Sequence, residues 1–169
     1  MNIELKNLDN LTNDEKETLI KLVKKANEKS KVFVPEYGGK YYIIDPRGKI
    51  KCLPFGDDEY DEDCFSIGNC FETREETKFA LEKQKVYTQL KRYALEHNEC
   101  AIDWGNLEQI KWALSLNSET NNLLPQYTWQ YYKSSQVVYF TSEEIAKNAI
   151  AEIGEDKIKK YLFEVEEND

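Results

Sequence analysis

Apolar residues recur along this chain at two periods, every three to four residues in some stretches and every second residue in others. The first period is typical of a helix with one buried face, and the second of a half-buried strand. A first helix is predicted from Asn13, because Thr12 and Glu15 have the spacing of a capping box. Its apolar side is formed by Leu19, Leu22, Val23 and Ala26. Lysines occupy the other faces, and residues 30–40 are predicted to form a connector.

Two β-rich runs follow, Tyr41–Ile44 and Lys49–Leu53, on either side of the tetrapeptide 45–48. That tetrapeptide has Pro46 at its second position and Gly48 at its fourth, which suits a type I turn. We therefore predict a β-hairpin at this place.

A long helix is predicted from Thr73 to about His97, opened by a second capping box of Thr73 and Glu76. Its inner stripe is formed by Phe79, Val86, Leu90 and Tyr93. His97 continues this stripe at the helix end, where a packing or capping role is expected.

The period of two returns after Trp104 and predicts three strands, over residues 109–116, 123–132 and 137–140. Pro125 favours an edge position for the second of them. A further helix is predicted from Thr141 or Ser142, either of which could cap it, to near Gly154. Residues 155–163 form a last helical segment.

The block DDEYDED at residues 57–63 concentrates acidic side chains, and such a block is typical of an exposed, self-repelling loop. A second interpretation is a patch that contacts a partner, and a third is a cation site. The EF-hand pattern fails, because Glu62 stands where its glycine belongs and Gly68 where its glutamate belongs. The predicted contact residues are Asp57, Asp58, Glu59, Tyr60, Asp61, Glu62 and Asp63.

Two segments, 71–81 and 140–150, share the pattern F-x-[ST]-x-E-x-x-K-x-A-[LI]. In both, an aromatic residue ends β-rich sequence and a candidate N-cap opens a helix. The repeat predicts an α+β fold of two related β-β-α units that form antiparallel sheet packed by helices. The two units either join into one sheet or face each other as twin layers. We predict a helix and connector over residues 1–39, a first unit over 40–98 and a second over 99–169, all in one compact domain.

Composition and net charge restrict which kinds of partner and which compartment the protein is expected to have. An aromatic share of 12% predicts a folded chain, since disordered chains are poor in aromatics. A net charge of −9 disfavours direct binding to nucleic acid and favours a basic protein surface as a partner. The sequence contains no secretory signal and no apolar run long enough for a membrane span, so the cytosol is the expected compartment.

The cysteines are predicted to be reduced, partly buried thiols in that compartment. None of the gaps between Cys52, Cys64, Cys70 and Cys100 is that of a zinc knuckle, and the chain has a single histidine. An enzyme is the weaker hypothesis, because no phosphate loop or nucleophile elbow is present. The best candidate for a catalytic pair is a Cys100 nucleophile with His97. Stacking of single-stranded nucleic acid on tyrosine and tryptophan is a further, weaker hypothesis, because a basic groove is missing.

Three stretches carry a resemblance to a known group: YYIIDPRGKI, IGNCFETREETKFALEKQKV and VVYFTSEEIAKNAIAEIGEDKIKKYLF. They resemble the short accessory proteins of phages and prophages of Firmicutes, which have the patterns GN-x-F-x-T-x-E-E and YF-[ST]-S-x-E. The resemblance covers about residues 40–163 and departs at Thr77, where the group has alanine. It implies a host-takeover or counter-defence factor, a class that includes anti-CRISPR proteins.

We therefore predict a non-enzymatic accessory protein that binds and inhibits a host macromolecule, with a CRISPR nuclease among the candidate targets. The expected partner is a host protein, contacted through its basic, nucleic-acid-binding surface. No cofactor, metal, membrane or direct nucleic-acid contact is expected, and a homodimer is left open. The alternative is a virion-associated or assembly protein that acts through self-association.

Overall fold

The structure is a computed structural model that describes Thr12, residues 14–19, Leu22, residues 32–128 and residues 133–165. Residues 14–19 are helical, and Thr12 and Glu15 make the reciprocal bonds of the predicted capping box. The Thr12 N–H donates to Glu15 Oε2 at 2.8 Å, and the Glu15 N–H donates to Thr12 Oγ1 at 3.4 Å. The capping box is thus confirmed, whereas Asn13, Val23 and Ala26 lie outside the described residues.

The predicted hairpin is present as β1 (Lys40–Ile44) and β2 (Ile50–Pro54), which pair antiparallel. The Gly48 N–H donates to the Asp45 carbonyl at 2.8 Å and closes the turn. The Asp45 carboxylate accepts the N–H groups of Arg47 and Lys49 at 2.9 and 2.8 Å. Gly48 has a φ of +70°, a conformation that glycine adopts without strain.

The outer edge of β1 is closed by two residues that follow the hairpin. Tyr42 and Phe71 exchange backbone hydrogen bonds of 3.0 Å in both directions. The side-chain amide of Asn69 then accepts the Ile44 N–H at 2.8 Å and donates to the Ile44 carbonyl at 2.9 Å. The backbone groups on this edge are therefore satisfied without a further long strand.

The two helices that frame the first unit are α1 (Glu59–Ser66) and α2 (Arg74–His97). Thr73 is the N-cap of α2 and forms a complete capping box with Glu76, as predicted. The Glu76 N–H donates to Thr73 Oγ1 at 3.1 Å, and the Thr73 N–H donates to Glu76 Oε2 at 3.3 Å. The long helix and its start are confirmed.

Replacing Thr73 by alanine should lower the free energy of unfolding by about 1 kcal/mol, because the first turn of α2 loses a side-chain acceptor. Urea denaturation followed by circular dichroism measures the change. Thr73→Ser keeps the acceptor and is the matched control, with a much smaller expected change. An unaltered denaturation midpoint in Thr73→Ala would contradict a stabilising role for this cap.

The second unit contains β3 (Lys111–Asn117), β4 (Asn122–Thr128) and β5 (Tyr139–Phe140). All pairs are antiparallel, and the strand order is β4-β3-β5. Pro125 lies in the edge strand β4, as predicted. The predicted strand over 123–132 is described as far as Thr128, and residues 129–132 lie outside the described residues. The strand predicted over 137–140 is shorter than expected.

The last two described elements are the helices α3 (Glu143–Ile153) and α4 (Glu155–Leu162), which meet at Gly154. Ser142 caps α3, since its hydroxyl accepts the Ile145 N–H at 3.2 Å. The structure thus decides between Thr141 and Ser142, the two caps that the sequence left open.

The two units share part of one topology, although helix α1 of the first has no counterpart in the described part of the second. In each, a hairpin is followed by an aromatic residue that pairs with the first hairpin strand, Phe71 with Tyr42 and Phe140 with Trp112. A capped helix begins three residues after that aromatic residue in both units. The predicted α+β fold is confirmed, and among the described strands the two units keep separate sheets.

Helix α2 joins the units, because it contacts β1 and β2 of the first and α3 and α4 of the second. Phe79 of the predicted inner stripe is half-buried, whereas Val86, Leu90 and Tyr93 are buried as predicted. They pack in the main core with residues of the second unit: Leu123, Phe140, Ala146, Ala149 and Ile158. A smaller core, built on Tyr41, Ile43 and Cys64, attaches α1 to the hairpin.

Candidate functional site: the acidic helix

The predicted acidic loop is a helix for most of its length. Helix α1 begins at Glu59, and Asp58 is its N-cap, with a side chain that accepts the Asp61 N–H at 3.0 Å. Acidic residues are favourable at this end of a helix, because the unpaired N–H groups and the helix dipole are positive there. The loop prediction was therefore wrong for residues 59–63, since it counted the mutual repulsion of the carboxylates and not their interaction with the helix end.

Asp61 is buried, at 4% exposure, and does not lie on the surface with its neighbours. One carboxylate oxygen accepts the hydroxyl of the buried Tyr41, and the other accepts the Gly56 N–H at 2.6 Å. The side chain thus ties α1 to β1 and to the segment that leads into the helix. The prediction that Asp61 contacts a partner is corrected by this burial.

These bonds also set the ionisation of the pair. Burial by itself raises the pKa of Asp61, but the hydrogen bonds from Tyr41 and the Gly56 N–H outweigh it and leave that pKa below its ordinary value. Burial, followed by the hydrogen bond to Asp61, raises the pKa of Tyr41 well above its ordinary value. The pair therefore exists as a carboxylate and a neutral phenol at neutral pH.

The other acidic residues of the block are exposed to solvent. We call this set the acidic face; it comprises Asp57, Asp58, Glu59, Glu62 and Asp63. Asp57 precedes the helix with a φ of +55°, a conformation that aspartate and asparagine tolerate better than most residues. The predicted contact role of these five residues stays a prediction.

Large apolar side chains lie exposed on the same helix and just beyond it. Tyr60 is 54% exposed, Phe65 41% and Ile67 75%. Tyr60 was among the predicted contact residues, whereas Phe65 and Ile67 were not. The sequence offered a signal for them, because this short, mostly acidic segment also contains several aromatic and aliphatic residues. A short helix buries only one stripe of side chains, so some of these apolar residues must be exposed.

Part of this surface borders an open groove. Tyr60, Asp63 and Ile67 recur at helical spacing along one wall, and the groove has a volume of about 1130 Å³. The opposite wall is formed by α2, with Thr88 and Arg92 among its residues. The acidic face, the exposed apolar side chains and this groove thus occur together at α1.

His97 and Cys100, the candidate catalytic pair, each contact other residues and not one another in the contacts that the structure shows. His97 stacks on Tyr93, with 3.9 Å between ring centroids, and its Nδ1 lies 3.0 Å from the Tyr93 carbonyl oxygen. The Cys100 Sγ accepts from Gln109 Nε2 at 3.3 Å. His97 at the helix end thus has the packing and capping contacts that the sequence predicted for it. Cys100 and Cys52 are exposed, so the prediction of partly buried thiols was wrong for these two, whereas Cys64 is buried and Cys70 half-buried.

The described residues contain neither a metal-binding cluster nor a membrane-spanning helix. No group of three or more His, Cys, Asp or Glu side chains within them could hold a metal ion. In the same part of the chain, no helix combines the length and the apolar character that crossing a membrane requires.

Comparisons with known proteins gave no match. No protein-family model, no curated protein and no solved structure is similar to this chain.

Proposed function

We propose that this chain is a non-enzymatic phage or prophage accessory protein that binds and inhibits a host protein through helix α1. The observation that carries the proposal is the composition of one short surface. Five exposed carboxylates lie beside three exposed large apolar side chains, on α1 and at its two ends, and Asp61 fixes this helix to the hairpin. Charge and apolar area thus occur together on a rigid element.

Each part of this surface has its own physical role in binding. The carboxylates steer an approaching basic partner and raise the association rate, an effect that salt screens. Tyr60, Phe65 and Ile67 supply apolar area that is desolvated in a complex and slows dissociation. Because α1 is held by a buried hydrogen bond, little conformational entropy is lost when it binds.

The partner expected from this chemistry is a protein with a basic, nucleic-acid-binding surface. A net charge of −9 makes direct binding to a phosphate backbone unfavourable, and it favours the surfaces that such backbones occupy. A host nuclease has a surface of this kind. The resemblance to phage accessory proteins supports the same class of target, with a CRISPR nuclease as the specific candidate.

The experiment is a comparison of three tagged chains in a host lysate, with mass spectrometry of the retained proteins. The first is the wild type. The second, the α1-neutral variant, carries five amide replacements: Asp57→Asn, Asp58→Asn, Glu59→Gln, Glu62→Gln and Asp63→Asn. The third, the control variant, carries five exposed carboxylates replaced elsewhere: Glu75→Gln, Glu96→Gln, Glu108→Gln, Glu119→Gln and Glu144→Gln.

The wild type and the control variant should retain the same nucleic-acid-binding protein, and the α1-neutral variant should lose it. The purified chain should then inhibit that protein's activity on nucleic acid. Equal retention by all three chains would contradict the role of α1, and retention without inhibition would contradict the inhibitory function.

One observation favours the alternative of self-association. Leu124 is 54% exposed on β4, an edge strand of the second sheet. Exposed edge strands pair readily with a second copy. Light scattering over a range of concentrations decides the matter: a monomer throughout contradicts self-association, whereas an oligomer that Leu124→Lys abolishes would support it.

A further inference from the structure

A second groove in this acidic protein has a positively charged lining. It runs between the C-terminal half of α2 and the segments 98–104 and 133–139, and its volume is about 660 Å³. Its apolar lining includes Leu95, Ile102, Trp104, Val137 and Val138. Leu95 is 76% exposed and Val137 38%, so apolar area is open to solvent here. We call this site the α2 groove.

The charged residues of the α2 groove are all cationic. Its lining contains Lys91 and Lys133 and, among the described residues, no aspartate or glutamate. Within the described part of the chain, neither lysine has an ion-pair partner. In a chain of net charge −9, a groove with two unpaired ammonium groups and no carboxylate is a local reversal of charge.

A mostly apolar cleft of about 510 Å³ adjoins the α2 groove, and the two share Tyr87, Gln136, Val137 and Val138. Its lining adds buried and half-buried apolar residues from both units, including Leu90, Leu114 and Leu162. The charged residue in its lining, Lys83, bonds Glu164 at 2.6 Å. Apolar lining thus continues from the α2 groove into this cleft.

We propose that the α2 groove binds a small amphipathic carboxylate, a molecule with one anionic head and an apolar body. The volume lies in the range of small-molecule sites, and such sites combine an apolar lining with a few polar groups. Lys91 and Lys133 pair with the head, which the rest of this acidic protein repels. The apolar body lies along Leu95 and Val138 and extends towards the adjoining cleft.

Decanoate, used as a monomer, is the probe, and 1-decanol is its uncharged counterpart. Titration of the isotope-labelled full chain should shift the NMR signals of residues that line the α2 groove and leave those of α1 unchanged. The variant Lys91→Met/Lys133→Met keeps the aliphatic stems and removes both charges. Its affinity for decanoate should fall about tenfold, the size expected for two partly screened ion pairs.

The variant should bind 1-decanol as well as the wild type does. Lys49→Met, which removes an exposed lysine from the turn after β1, is the matched control and should keep its affinity for decanoate. Shifts outside the groove, or an equal affinity for decanoate in the wild type and the double variant, would overturn the proposal. The test is independent of the proposed function, because no residue of α1 is changed.

Discussion

Replacing Asp61 by alanine is expected to lower the free energy of unfolding by about 3 kcal/mol, a large effect for a residue in a mostly acidic segment. The reason is that the buried Tyr41 hydroxyl loses its acceptor, while the N–H of the exposed Gly56 loses its hydrogen bond to the same carboxylate. Each unsatisfied buried donor costs about 1–3 kcal/mol. Urea denaturation measures the change.

The matched control for this prediction is Asp63→Ala, which removes a carboxylate from the exposed side of the same helix. It should change the free energy of unfolding by no more than about 0.5 kcal/mol. Tyr41→Phe combined with Asp61→Ala completes a double-mutant cycle, and the two changes should be strongly non-additive. Equal losses in Asp61→Ala and Asp63→Ala would contradict the anchoring role of Asp61.

The same carboxylate gives a pH dependence with a definite sign. Its pKa is lowered in the folded chain, so its contribution to stability is complete above the unfolded-state value of about 3.9 and is lost as the pH falls through the folded-state value. Asp61→Asn removes the charge and keeps the shape. The difference in unfolding free energy between wild type and this variant should be constant from pH 7 to about pH 5 and shrink in more acidic buffer.

Local chemistry made much of this fold predictable. The turn at residues 45–48 and the capping box of Thr73 and Glu76 depend on groups within three or four residues of one another, and the structure contains both. The repeat was also readable, because its two copies use the same aromatic and capping positions. Structures that depend on one helical turn or one hairpin could therefore be predicted from the sequence alone.

Long-range contacts account for what could not be predicted. Asp61 looks like its neighbours in the sequence, and its partner Tyr41 lies on a strand that only the folded chain brings to it. The exposure of Phe65 and Ile67 depends likewise on which stripe of α1 the hairpin covers. The α2 groove is assembled from two separate stretches of chain, residues 87–104 and 133–139, so no single stretch indicates it.

The second large effect is expected in binding. Against the host protein that the wild type retains, the α1-neutral variant should lose affinity by about 100-fold, the order by which electrostatic steering raises association rates. Asparagine at positions 57 and 58 keeps the backbone conformation and the cap, so the helix should remain folded. Circular dichroism checks the folding, and surface plasmon resonance measures both rate constants.

The dependence on salt separates steering from direct contact. The association rate of the wild type should fall as ionic strength rises, because the acidic face attracts a basic surface over the range that salt screens. The α1-neutral variant should show a much flatter dependence. Tyr60→Ala should act differently, raising the dissociation rate at every ionic strength, because it removes apolar contact area and no charge.

The affinity of the retained host protein for three chains, at one near-physiological ionic strength, tests most directly whether the acidic face of α1 is the binding surface. These chains are the wild type, the α1-neutral variant and the control variant with five carboxylates neutralised elsewhere. We predict equal, tight binding by the wild type and the control variant, and a loss of about 100-fold in the α1-neutral variant. Equal affinity in all three, or the same loss in both variants, would contradict the assignment of binding to helix α1.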